Sequence, residues 1–237
     1  MINRSVNYTT MDSYDDAYYA GEALISDAEY DRQAAATGHR KVGSRLRAKI
    51  PHSRPMLSLR REYDPLAWHA EIGAPPVIVQ PKIDGMAAAL RFERGRLVLA
   101  LSRGDGMAGC DITAAGADLG WQWAPGVFTG ELRGELFTPL SVWRERGKYR
   151  TPQSDVSALV MAGRTANSGI RFEEHDSTPI IGHSVAEALA IVEPTRWMGG
   201  MADVPLDGVV VKVADPAIRT RMGDDGYVPL WAIAVKP

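Results

Sequence analysis

The chain has 237 residues, 45% of them apolar and 24% charged, which suits a globular protein of one large domain or a small domain plus a medium one. No stretch approaches the length of a membrane-spanning helix and residues 1–10 lack the apolar core of a signal peptide, so the cytoplasm is the expected location. The single cysteine, Cys110, excludes an internal disulfide and a Cys-rich zinc module, and the net charge of −2 argues against strong sequence-independent nucleic-acid binding by the whole surface.

Residues 12 to 36 read as helical, with Tyr14, Tyr18 and Tyr19 at roughly helical spacing. Ser26 with Glu29 three residues later forms a capping signature, so Asp27-Ala28-Glu29-Tyr30-Asp31-Arg32 begins a helix that Thr37-Gly38 ends. A run from Arg40 to Arg61 carries eight basic residues and no acid. It reads equally as a solvated linker or as a patch for phosphates. Pro51 to Pro55 is extended, Met56 to Leu59 is a short apolar segment, and Pro75-Pro76 marks a boundary. A small helical domain over residues 1–40, a basic connection over 41–75 and a main domain over 76–237 follow.

The main domain is rich in strand patterns. Val77 to Lys82, Met86 to Glu93, Arg96 to Ser102 and Gly130 to Phe137 read as strands, the last with Glu131, Arg133 and Glu135 on one face. Leu140 to Arg146 and Ser154 to Gly163 read as helices, Pro179 to His183 as a strand and Val185 to Val192 as a helix. Asp207 to Val213 and Trp231 to Lys236 are the last strands. In the first, Val209, Val211 and Val213 share a face opposite Val210 and Lys212. In the second, Trp231, Ile233 and Val235 read as the core face, opposite Ala232, Ala234 and Lys236. Small side chains beside a lysine leave a groove with a cation at its end, suited to a flat base and a phosphate. An edge-strand lysine keeping a sheet soluble is the plainer reading of any one of them.

Gln80-Pro81-Lys82-Ile83-Asp84-Gly85 lies between two apolar runs, where an ammonium is costly unless it has a task. Strand alternation would put Asp84 on the face of Lys82 and Gln80. A lysine so placed can serve as a nucleophile once it loses its proton, which neighbouring cations favour. Gly104-Asp105-Gly106-Met107-Ala108-Gly109 has the spacing of a dinucleotide fingerprint. Residues 110–127 show no clear amphipathic helix after it, so it reads as a tight polar turn with Arg103 aimed at a ligand. No His/Cys cluster has metal spacing.

Taken together these segments resemble the NAD-dependent DNA ligases. Lys82-Ile83-Asp84-Gly85 resembles the lysine motif of covalent nucleotidyltransferases. Ser102 to Gly106 with Gly109 and Asp111-Ile112-Thr113, Arg133 to Phe137, Asp207 to Val213 and Trp231 to Lys236 resemble the later motifs, in order. Tyr18-Tyr19 and Asp27 to Asp31 resemble the helical domain found only in the NAD-dependent branch, and Pro55 to Leu59 its lead-in segment. Gln80 stands where the main bacterial enzymes carry glutamate, Tyr19 where a histidine is usual, and Cys110 where an acid follows the glycine. Gln80-Pro81-Lys82 with Asp155 to Arg164 is closer to the ligase B branch.

The resemblance implies an α+β fold: a small N-terminal helical domain, then a nucleotidyltransferase (ATP-grasp-like) domain of mostly antiparallel sheets around a groove, with no OB-fold in this chain. It implies attack of Lys82 on the α-phosphorus of NAD, release of nicotinamide mononucleotide and a lysine-AMP intermediate for a DNA 5′-phosphate at a nick. Asp84, Lys212 and Lys236 would act with Lys82. Tyr18, Tyr19, Asp27, Ala28, Glu29, Tyr30 and Asp31 would hold the nicotinamide half. Ser58, Leu59, Gln80, Arg103, Glu135, Lys212 and Lys236 would hold the rest of NAD, with Gln80 at the adenine. Mg²⁺ would take Glu135 and Asp207 as ligands, or Glu135 would contact the ribose. Nicked duplex DNA would bind weakly to this chain alone, with a separate OB-fold or DNA-binding partner to assist a monomer that has no membrane contact. An RNA ligase or capping-type transferase, and a non-catalytic NAD- or nick-binding module, are the alternative readings.

Overall fold

A computed structural model describes residues 11, 13, 14, 25, 27–37, 50–119, 128–147, 150–191 and 203–237. The expectations for Tyr18, Tyr19 and Ser26, and for the basic run up to Lys49, lie outside the described residues. Helix α1 (Asp27–Thr37) starts and ends where the capping pattern put it. Within it Glu29 accepts from Gln33 at 2.8 Å and pairs with Arg32.

Three sheets make up the strand-bearing part. A two-stranded sheet pairs β1 (Ile50–Pro51) with β6 (Ala108–Gly109). The second, in the order β2-β10-β9-β3, joins β2 (Arg60–Arg61), β10 (Ala232–Val235), β9 (Leu206–Val213) and β3 (Val77–Ile83). The third, in the order β5-β4-β7-β8, joins β5 (Arg96–Ser102), β4 (Met86–Glu93), β7 (Gly130–Phe137) and β8 (Arg171–Glu174). Only the β2–β10 pair is parallel, so the expected α+β architecture with mostly antiparallel sheets holds for the described residues.

Each large sheet has a dry face and a wet one, because its strands alternate. On the second sheet Val77, Val79, Val209, Val211, Ile233 and Val235 pack with Trp68 of α2 (Pro65–Glu71) and with Val185 and Ala188 of α6 (Val185–Ile191). On the third, Ala88, Leu90, Phe92, Ala100, Leu132 and Leu136 pack with Ala115 of α3 (Thr113–Asp118) and with Val156 and Val160 of α5 (Pro152–Met161). Helix α4 (Leu140–Arg146) is held to this layer by a buried polar knot. There Asp155 pairs with Arg146 and accepts from Thr138 at 2.7 Å, and Arg146 donates to the carbonyl of Ser168 at 2.7 Å.

Several expectations need correction. Pro179 to His183 is not a strand: Pro179 has no N–H to donate, and only Gly182 bridges to Val79. Helix α3 does follow the glycine turn, although the segment shows little amphipathic pattern over so few residues. β8 has only the charged tetrapeptide Arg-Phe-Glu-Glu to show for itself, which suits an edge strand. Helix α2 lies in the segment read as connection, and α7 (Pro216–Met222) lies between the last two strands, where the sequence pattern assigns no element. Both are announced by an Asp-Pro pair: Asp64 and Asp215 cap the first turn and Pro65 and Pro216 open it. Among the described residues no helix is long and apolar enough to cross a membrane.

Candidate active site

The wet faces of the two large sheets line one open pocket of about 670 Å³. β3 brings Gln80 and Lys82 to it, β9 Val210 and Lys212, β10 Ala232, and β7 Glu131, Arg133 and Glu135. The segment 54–59, including Ser58 and Leu59, forms a further wall. Of the small residues expected beside a lysine on the last strand, Ala232 lines this pocket, whereas Ala234 and Lys236 do not.

Register explains which lysines meet. Lys82 lies opposite Gly208, and Val235 opposite Val209, so Lys236 comes level with Gly208 on its other side. Gly208 has φ +144°, and an added Cβ there would meet the Val235 carbonyl oxygen at 2.2 Å. Only glycine lets the strands close up at this point. Asp207, next to it, binds both lysines. Its Oδ2 accepts from Lys82 Nζ at 3.2 Å and lies 2.9 Å from Lys236 Nζ. Its Oδ1 lies 3.0 Å from Lys82 Nζ, within ion-pair range but outside hydrogen-bond geometry.

Lys212 stands apart from this trio. Four strand residues at about 3.3 Å each put it roughly 13 Å along β9 from Gly208. It is 7% exposed, and burial pulls its pKa below the ordinary lysine range. Its partner is Asp176, 3.6 Å away on the turn after β8. Arg219 of α7 adds a second positive charge at that end and opposes protonation of Lys212. Arg219 stacks over Trp231, 5.3 Å from the ring centroid, and donates to the carbonyls of Val213 and Ala214. Trp231 is thus a pocket wall rather than a core residue, because β10 begins only at Ala232. The Asp215-Pro216 pair was the available sign of the helix that carries Arg219.

Asp84 also differs from expectation. Strand β3 ends at Ile83 after a register shift between Lys82 and Ile83, so alternation does not extend to Asp84. Its backbone N–H donates to Pro205, and burial, then the Asp207 carboxylate, push its pKa up to about 6 against the pull of Lys82 and Lys236. Gln80 is buried and donates to the Thr178 carbonyl at 2.5 Å. Arg103 donates to Ser58 at 2.8 Å, joining the pocket wall to the glycine turn. That turn is tight, since a Cβ on Gly104 (φ +59°) would meet the Ala108 carbonyl oxygen at 1.9 Å.

Glu135 faces His175 at 3.6 Å through Oε1, while its buried Oε2 has no hydrogen-bond partner among the described residues. Among those residues no cluster of three or more His, Cys, Asp and Glu side chains could hold a metal ion. Asp27, Ala28, Tyr30 and Asp31 lie on helix α1, with Glu29 among them.

Comparison with known proteins points one way. Residues 45–142 match the family described as NAD-dependent DNA ligase adenylation domain. A DNA ligase of Thermobifida fusca is 28% identical over 297 aligned positions, covering 95% of this chain and 40% of the relative. A DNA ligase 1 of Nocardia farcinica is 39% identical over 117 positions, covering 41% of this chain and 18% of its own length. A DNA ligase of Paracoccus denitrificans is 29% identical over 93% of this chain and 38% of its own. The chain therefore spans well under half the length of these relatives. Among solved structures, an RNA ligase of Naegleria gruberi aligns over 82% of this chain and 62% of its own at 12% identity and a TM-score of 0.33, too loose a likeness to carry an argument.

Proposed function

We propose, on the premise that residues 45–142 belong to the NAD-dependent DNA ligase adenylation domain family, that this chain takes the adenylyl group of NAD onto Lys82 and passes it to the 5′-phosphate at a DNA nick. The observation that carries the reading is Asp207 holding Lys236 beside Lys82, which lines a pocket large enough for a nucleotide.

The chemistry follows from that trio. Lys82 must lose a proton before it attacks. Lys236 stays on Asp207 when Lys82 turns neutral, so the carboxylate keeps a counter-charge. The neutral Nζ forms a bond to the α-phosphorus of NAD. The bond from that phosphorus to the bridging oxygen breaks, and its electron pair leaves with nicotinamide mononucleotide. The attacking nitrogen sheds its remaining extra proton to solvent, and the product is a lysine-AMP phosphoramidate. Lys236 is the cation nearest the nucleophile and offsets charge developing on the phosphate. Lys212, Gln80 and Trp231 shape the far end for the adenosine half, with Gln80 offering donor and acceptor to the base. Ser58, Leu59 and Arg103 line the side wall, and Asp84, two residues after Lys82, is close enough to feel the charges of Lys82 and Lys236.

Mg²⁺, when bound, would supply further charge neutralisation at the phosphates. The donor set fits an ion held by one or two carboxylates plus substrate oxygens. Glu135 offers its unpartnered Oε2, and Asp207 would have to exchange lysine contacts to join it. Tyr18, Tyr19 and Asp27 to Asp31 would take the nicotinamide half. Transfer to nicked duplex DNA, a monomeric state and assistance from a DNA-binding partner complete the reading.

Intact-mass measurement after incubation with NAD and Mg²⁺ tests it. One added AMP is expected, absent from Lys82→Ala and absent when ATP or GTP replaces NAD. Equal labelling of Lys82→Ala would sink the assignment.

A further inference from the structure

Arg133 sits on the pocket face of β7, yet its guanidinium is spent on the protein. Nε donates to Glu131 at 2.9 Å, Nη1 to the carbonyl of Pro55 at 2.7 Å and Nη2 to the carbonyl of Arg54 at 2.6 Å. Glu131 completes the set by accepting from Ser53 at 2.9 Å. The side chains of Arg133 and Glu131 are only 13% and 14% exposed. Two consecutive carbonyls are thus gripped by one planar fork, a geometry open to arginine and closed to the single ammonium of lysine.

What is gripped is the strap 50–59. Its other ties are the pairing of Ile50 and Pro51 with β6, the His52 and Met56 N–H groups, which donate to Met107 and Gly106 at 2.9 and 2.8 Å, and the His52 ring, 2.9 Å from the Arg103 carbonyl. All of these ties run to the third sheet and its glycine turn. Beyond them the strap leads through Ser58 and Leu59, both pocket residues, into β2 on the other large sheet. The strap is therefore the wall that closes the pocket between the sheets, and its middle, Arg54-Pro55, is held by Arg133 alone among the bonds named.

We infer that Arg133, oriented by Glu131, is a positioning residue that clasps the strap 50–59 in the closed pocket and so sets the affinity for NAD. The inference rests on the adenylation reading for its ligand but not for its geometry. An open strap leaves Ser58, Leu59 and the Arg103–Ser58 bond misplaced, which weakens binding of NAD more than it slows the covalent step.

The test uses the 237-residue chain, NAD as probe, and two variants, Arg133→Lys and Glu131→Gln. Both are checked for folding by thermal melting. Adenylation kinetics should show KM for NAD raised about tenfold or more, with kcat lowered by a much smaller factor. Amide hydrogen exchange without NAD should be faster across residues 52–59 in both variants and unchanged over β9. If either well-folded variant keeps wild-type exchange there, the clasp is refuted. A fall in kcat with KM unmoved would equally overturn it, by making Arg133 a participant in the reaction. If the wild type takes no AMP from NAD, the adenylation reading fails, while the exchange result still decides the clasp.

Discussion

The ammonium groups of Lys82 and Lys236 meet at one carboxylate, that of Asp207, although β3, which carries Lys82, and β10, which Lys236 directly follows, never pair with each other. The central strand β9 separates them, and its Gly208 offers no side chain to keep them apart. The carboxylate therefore does two things at once: it orients Lys82, the proposed nucleophile, and it holds Lys236 beside it.

Replacing Asp207 by Asn should slow AMP-adduct formation by about 100-fold, in the range seen when a preorganised electrostatic group is removed. Stability should fall by only about 1 kcal/mol, since both lysines keep access to solvent. Single-turnover labelling with NAD, alongside a melt, checks both halves. An unchanged rate would show that the pairing is incidental.

Asp84 should make stability depend on pH. Its folded pKa of about 6 lies above the ordinary carboxylate value of 3.8, so the folded state favours the neutral acid. The folded protein then binds more protons than the unfolded chain between these values. Its contribution is fully present below about pH 4 and is lost as pH rises through about 6. The loss amounts to about 3 kcal/mol by pH 7.5. Asp84→Asn should consequently melt higher than wild type at pH 7.5, with the gap closing towards pH 4.5. A gap that stays constant over this window would contradict the assignment.

Gly208→Ala should be severe. The added carbon meets the Val235 carbonyl oxygen at 2.2 Å and the backbone φ is +144°. Strain and lost β9–β10 pairing should cost about 3 kcal/mol. AMP-adduct formation should fall with it because Lys236 is pushed from Asp207. Urea denaturation and adduct mass measure the two effects, and a variant as stable as wild type would refute the close approach.

Asp155 gives a contrasting case, with Arg146 and Thr138 rather than a lysine as its partners. It is fully buried, pairs with Arg146 and accepts from Thr138. Asp155→Ala leaves Arg146 without that partner and should cost about 3 kcal/mol. The NAD-dependent adduct should still form in the fraction that remains folded. Chemical denaturation at pH 7 checks the first statement and intact mass the second; a loss below 1 kcal/mol would be inconsistent with a knot that holds α4 to α5.

What the sequence determined by itself was local. Apolar runs located β3, β4 and β5, and alternation with period 2 sorted the faces of β7 and β9, because what a strand buries is written into its own residues. The capping pair Ser26 and Glu29 likewise marked where α1 begins. The order of lysine-bearing segments pointed to nucleotidyl transfer before any contact was known. Short helices such as α2 and α7 were signed by Asp-Pro pairs but are too brief for periodicity to show. The tertiary structure alone decided that Asp84 leaves the strand at a register shift, that Trp231 walls the pocket, and that Asp207 bridges Lys82 to Lys236 while Lys212 stands at the far end with Asp176. These are matters of register among β3, β9 and β10, whose pairing brings residues 82, 207 and 236 together across more than a hundred residues of chain. Local pattern carries no information about which residue stands opposite which, because register is set by the burial of whole faces and not by any single segment.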